Sequence, residues 1–137
     1  MGFPIISASL GAFLIIIQQI LLMNVGMHRT KHAVGVGTGS DAHLERKIRR
    51  HGNLAENAAI FLILLALMEM YGTSAALVAG FAIAFATARI LHVFAFMRLS
   101  GSHEPSGFFS LLRALGAFGT VLCGLGVGGS LLYFMYG

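Results

Sequence analysis

Apolar residues run along this chain in four long stretches, residues 3–27, 54–71, 74–97 and 108–136, separated by short polar segments. Each is near the ~20 residues that a helix needs to cross a bilayer core. The second has a polar forerunner. With Asp41 as a plausible N-cap, it extends back to about Ala42 and measures roughly 45 Å at 1.5 Å per residue. That exceeds the ~30 Å hydrocarbon layer, so its first two turns should project from the membrane. The pattern therefore predicts four helices, over about residues 3–27, 42–71, 74–98 and 108–136, in an all-α transmembrane bundle that forms one domain over residues 1–137. The Gly-rich segment 35–40 (GVGTGS) cannot continue a helix cheaply. It lacks the preceding strand and following Lys-Ser/Thr of a nucleotide loop, so it reads as a plain connection.

Composition agrees with a membrane solvent. Of 137 residues, 57% are hydrophobic and 10% charged, with a mean hydropathy of +0.84. A soluble domain carries about 25% charged residues. The first apolar run lacks the basic flank and cleavage site of a signal peptide and is too long for one, which makes it a retained helix. The net charge of +4 and pI of about 9.9 report topology and not a nucleic-acid partner, because the basic residues flank apolar spans. Arg29, Lys31, Arg46, Lys47, Arg49 and Arg50 lie in or beside the first connection, and Arg98 and Arg113 flank the third. By the positive-inside rule both connections face the cytoplasm and both termini lie outside. The lone Cys123 falls in the last span, where a packed, inert thiol is expected. Helix 4 also carries Gly116-x-x-Gly119 and Gly124-x-x-x-Gly128, small-residue patterns that favour close helix packing.

Candidate chemistry starts at residues 45–57, where polar positions continue into what must become membrane. On a helical period Arg46, Arg49, Asn53, Glu56 and Ile60 share one stripe, with Arg50 and Asn57 beside it. Lys47 and Arg50 fit headgroup anchors whose charges snorkel outward. Glu56 does not, since a charge at that depth costs about 2.5–3.5 kcal/mol unless paired or hydrated. Arg89 of the third span can reach similar depth. The pair is then either a buried ion pair that fixes register or part of a hydrated pocket. His92 and Phe96 follow Arg89 on the same face, and Arg113 stands just inside helix 4 with Gly116 and Thr120 at i+3 and i+7. Such a site is cationic with one carboxylate, suited to an anionic ligand that also offers an ammonium group. Glu69, near the uncharged end, reads as a solvated helix-end residue. His28-x-x-x-His32 has ligand spacing but no third ligand nearby in sequence, so no metal is assigned to it.

The patterns Arg49-x-x-x-Asn53-x-x-Glu56 and Arg89-x-x-His92-x-x-x-Phe96, in register across four spans, resemble the family of membrane-associated proteins in eicosanoid and glutathione metabolism (MAPEG) over nearly the whole chain. The resemblance implies a homotrimer of four-helix subunits, with glutathione as co-substrate between neighbouring subunits near the cytoplasmic face. Arg46, Arg49, Asn53, Glu56, Asn57, Arg89, His92 and Phe96 would hold it, Glu56 meeting its amino group. Arg113 would stabilise its thiolate, and an apolar substrate would enter from the lipid. Phe96 stands where a tyrosine often occurs, and Gly52 and Asn57 where some eukaryotic members carry arginine and tyrosine. The short chain looks like the bacterial, microsomal-glutathione-transferase-like branch, which implies an inner-membrane transferase or peroxidase acting on lipophilic electrophiles. Alternatives are a small four-helix multidrug transporter, whose carboxylate belongs in a first helix that is uncharged here, a non-catalytic glutathione or lipid binder, and a haem protein using His51 and His92.

Overall fold

The computed structural model describes residues 2–97 and 107–137; Arg98, expected to close the third helix, lies outside the described residues. The helices are α1 (Ile5–His32), α2 (Ala42–Met70), α3 (Ala75–Ala95) and α4 (Phe108–Tyr136), with no strand among the described residues. Each is long and apolar enough to cross a membrane. The all-α transmembrane bundle predicted by the hydropathy pattern is the fold observed.

Two helix ends differ from expectation. α1 continues past Met27 to His32, where Ala33 turns left-handed (φ 53°) and the Val34 N–H reaches back to the Arg29 carbonyl at 3.0 Å. That closure satisfies a carbonyl left bare by the helix end. α3 stops at Ala95, with Phe96 as its C-cap. α2 begins as its sequence promised: Asp41 Oδ1 accepts the N–H groups of His43 at 2.7 Å and Leu44 at 3.2 Å. The bond from His28 to its other oxygen, with these backbone donors, holds the Asp41 carboxyl down from the usual 3.8 to about 2. A depressed folded-state pKa means this stabilisation is complete above about pH 4 and is lost as pH falls through about 2.

α3 lies along α4 and α1 along α2; α2 also touches α3 and α4, whereas α1 and α4 do not meet among the described residues. In the core Phe61 of α2 stacks on Phe85 of α3 with ring centroids 3.8 Å apart. Leu65, Met68, Val78 and Val127 belong to the same buried cluster, and Cys123 is buried as expected. One glycine sets the α3–α4 spacing. A Cβ at Gly116 would stand 2.7 Å from the Ala88 carbonyl oxygen and 2.8 Å from the His92 backbone nitrogen. Neither atom can swing aside as a side chain can. Gly124 and Gly128 meet nothing within 4 Å, so of the two small-residue patterns only the first packs within the chain.

The solvated role expected for Glu69 is overturned. Pro4 gives α1 no side-chain cap, and the free N–H groups of Ile6 and Ser7 donate instead to Glu69 Oε1 and Oε2, each at 2.9 Å. The Ser7 hydroxyl donates to Oε2 at 2.7 Å. A helix start in apolar surroundings must satisfy its donors, and here the neighbouring helix supplies the acceptor.

Candidate functional site

The centre of the cationic end is Arg89, which is 2% exposed. Its Nη1 donates to Thr120 Oγ1 at 2.9 Å and its Nη2 to the Asn53 backbone carbonyl at 3.1 Å. Thr120 passes the chain on, donating to the Gly116 carbonyl at 2.7 Å. One guanidinium thus ties α2, α3 and α4 at the level where Gly116 lets α4 approach α3. Asn53 contributes its carbonyl to Arg89, and that same oxygen accepts from Asn57 Nδ2 at 3.1 Å.

Beside this node lie buried polar atoms with no close side-chain partner among the described residues, Arg89 Nε and the ring nitrogens of His92, the His92 ring being approached by the Arg113 backbone. His92 packs against Phe96, ring centroids 5.1 Å apart and tilted by 53°. The two rings therefore share one side of α3, as their spacing predicts. Arg89 and the half-buried Arg113 both lie within electrostatic reach of the His92 ring. The structure brings together Asn53, Asn57, Arg89, His92, Phe96, Arg113 and Thr120; the spacing of the last in the sequence gave it no role of its own.

Arg49 and Glu56 belong to a different surface. Both are exposed on the outer face of α2, while Arg46 is half-buried. Glu56 is close enough to act on Arg89 electrostatically, yet no ion pair joins them among the described residues. Arg89 is already held by Thr120 and Asn53, which removes the register-fixing ion pair as its explanation. Gly52 leaves room beside Glu56: a Cβ there would meet only Glu56 Oε1, at 3.7 Å. On the other side of Arg89 an apolar cavity of about 280 Å³ opens between α1 and α3, lined by Leu14, Leu21, Leu54, Ile90, Val93 and Phe94 among others.

The first connection also departs from expectation. Lys47 is no plain anchor, because its Nζ sits 3.1 Å from His28 Nδ1. His28 Nε2 in turn lies 2.6 Å from Asp41 Oδ2. The third ligating group that the sequence spacing failed to supply is brought there by the turn.

A model of the MAPEG family matches residues 7–133. The chain belongs to the MAPEG family. No curated protein and no solved structure gives a significant match. MAPEG proteins include glutathione transferases and peroxidases as well as non-enzymatic members, and four membrane-spanning helices are the family's fold. This MAPEG chain is accordingly an integral membrane protein, with Arg89 and His92 buried where α2, α3 and α4 meet.

Proposed function

We propose that this MAPEG chain is a membrane-bound glutathione transferase that conjugates lipophilic electrophiles, with reduction of lipid hydroperoxides as a second use of the same thiolate. The observation that carries the reading is a pair of buried, cation-flanked residues, Arg89 and His92, with unsatisfied polar atoms in a family that includes such enzymes. Glutathione offers two carboxylates, an ammonium and a thiol. Arg46, Arg49, Asn53, Asn57, Arg89, His92 and Phe96 surround it in this reading, and Glu56 receives the ammonium. Arg113 faces the sulfur, lowering the thiol pKa from its usual ~8.5. The thiol proton passes to solvent, the thiolate attacks an electrophilic carbon, and the leaving group departs with the bonding pair. The apolar cavity against Arg89 suits the lipophilic partner.

The exposed Glu56 supports a homotrimer, the assembly that goes with this reading. Left facing lipid, its charge would cost about 2.5–3.5 kcal/mol, so the α2 face that carries it belongs against neighbouring subunits, with the site between them. The Lys/Arg of the first connection support a cytoplasmic site in a bacterial inner membrane with both termini outside; a cysteine at Ser40 labelled from outside intact cells would reverse that orientation.

The deciding experiment titrates purified protein with glutathione, follows thiolate absorbance in the ultraviolet, and then adds a chromogenic electrophile. Binding, thiolate formation and turnover without an ion gradient are expected. No binding overturns the reading, and binding without turnover replaces it with a non-catalytic MAPEG role. A transporter is disfavoured because α1 contains no acidic residue.

A further inference from the structure

His28 and His32 stand one helical turn apart at the end of α1, their rings stacked with centroids 4.4 Å apart. The connection then doubles back through left-handed positions at Ala33, Gly37, Gly39 and Ser40. It returns Asp41 to the pair, with Oδ2 2.6 Å from His28 Nε2. One ligand atom from each of His28, His32 and Asp41 lies within 4.8 Å of the others. We propose that these three residues bind one divalent transition-metal ion of the zinc type at the α1–α2 connection.

The donor chemistry fits that class. Two imidazoles and one carboxylate suit zinc and its first-row neighbours, whereas calcium and magnesium prefer oxygen alone. Zinc bonds of about 2.0–2.1 Å place tetrahedral ligand atoms roughly 3.3 Å apart. The spacings seen here, from 2.6 Å to within 4.8 Å, bracket that value and need only side-chain adjustment of up to about 1.5 Å. Asp41 is already oriented as a ligand, because the N–H groups of His43 and Leu44 fix its Oδ1 and leave Oδ2 for the metal. The three residues line an open cleft of about 420 Å³, so water can complete the coordination.

Lys47 opposes binding in a defined way. Its ammonium donates to His28 Nδ1, which leaves the ring proton on Nε2, facing Asp41. A metal on Nε2 requires the other neutral tautomer, with the proton on Nδ1 and Lys47 displaced. The ring keeps one proton throughout, so the exchange is a tautomer shift. Lys47 is therefore a competitor of the ion, and its ammonium also repels a dication. A bound ion would pin the end of α1 to the start of α2, the segment that carries Arg46 and Arg49. The proposal stands apart from the glutathione reading and needs no turnover to test.

The test uses tag-free, full-length protein in detergent, titrated with Co²⁺ while its visible ligand-field bands are followed, and with Zn²⁺ by calorimetry. One ion per chain is expected. His32→Gln and Asp41→Asn should each weaken binding about tenfold or more. Neither should disturb the fold, since His32 is exposed and asparagine also caps helices. Lys47→Gln should tighten binding severalfold, and His51→Gln should leave it unchanged. A wild type that binds no ion, a His32→Gln or Asp41→Asn protein that binds as the wild type does, or a Lys47→Gln protein that binds more weakly overturns the proposal.

Discussion

Where α1 begins and α2 ends, Glu69 collects three donors from Ile6 and Ser7, and the Tyr71 hydroxyl reaches the Phe134 carbonyl at 2.6 Å. At the opposite end Arg89 engages two of its nitrogens and leaves Nε bare, the buried His92 ring has no close side-chain partner and only the Arg113 backbone approaching it, and Arg50 Nε is without a partner among the described residues. The first end leaves Thr73 Oγ1 as its one buried polar side-chain atom without a partner among the described residues, and the bonds made there are structural. At the second, each buried polar group without a partner costs about 1–3 kcal/mol. A fold retains that cost where a ligand, water or a neighbouring chain supplies the partner in the working protein.

The largest effect expected is at Gly116, where the α4 backbone makes the cationic end possible. Gly116→Val drives a branched side chain into the Ala88 carbonyl and the His92 backbone, and should cost ~3 kcal/mol or more. Gly124→Val, in open space on the same helix, should stay within about 1 kcal/mol. Thermal unfolding in detergent compares the two; equal losses would show that the close approach is not specific to Gly116.

Arg113→Ala comes next and acts on rate, not binding. Loss of one or two units of thiol pKa depression cuts the thiolate fraction at neutral pH roughly ten- to a hundredfold. Raising the pH should restore much of that rate. The pH profile of conjugation at saturating glutathione decides it for wild type, Arg113→Lys and Arg113→Ala. Superimposable profiles would remove Arg113 from the chemistry and pass its role to Arg89.

The two membrane-level glutamates test the comparison directly. Glu69→Gln should lower stability by about 1–2 kcal/mol by weakening charge-assisted caps, with glutathione affinity intact. Glu56→Gln should do the reverse. Calorimetric titration and unfolding of both variants give the answer; a common response would erase the distinction between the ends. The smallest effect is that of Thr120→Val, which removes the hydroxyl that holds Arg89 Nη1. It should weaken glutathione binding severalfold through a mispositioned guanidinium, measured in the same titration, and unchanged affinity would make Thr120 a spectator.

Much of this was legible in the sequence. Hydropathy located all four spans, and Asp41 announced itself as a cap because short polar side chains accept from the first turn of a helix. The spacing of Arg89, His92 and Phe96 assigned them to one side of α3, and the His92–Phe96 contact agrees. Periodicity gives a residue's face on its own helix but not its neighbour on another. Thr120 stands 31 residues from Arg89, and the Asn53 contact runs through a carbonyl that every residue possesses. The return of Asp41 to His28 depends on left-handed turns that no hydropathy pattern encodes. One missed partner did leave a trace: Pro4 ahead of an apolar helix meant that the acceptors for its first N–H groups had to come from elsewhere.

That clamp has a consequence for biogenesis. Glu69, whose carboxylate completes the beginning of α1, lies 63 positions beyond Ile6 and 62 beyond Ser7. While α1 alone has left the ribosome its leading amides have no acceptor, and they gain one only when the whole of α2 has emerged. α1 and α2 should therefore settle in the bilayer as a hairpin, entering together and not in succession. Crosslinking of arrested nascent chains that end before and after Glu69 would reveal this as a step in α1 contact with lipid; steady lipid contact from the shorter chains onward would show that α1 inserts alone.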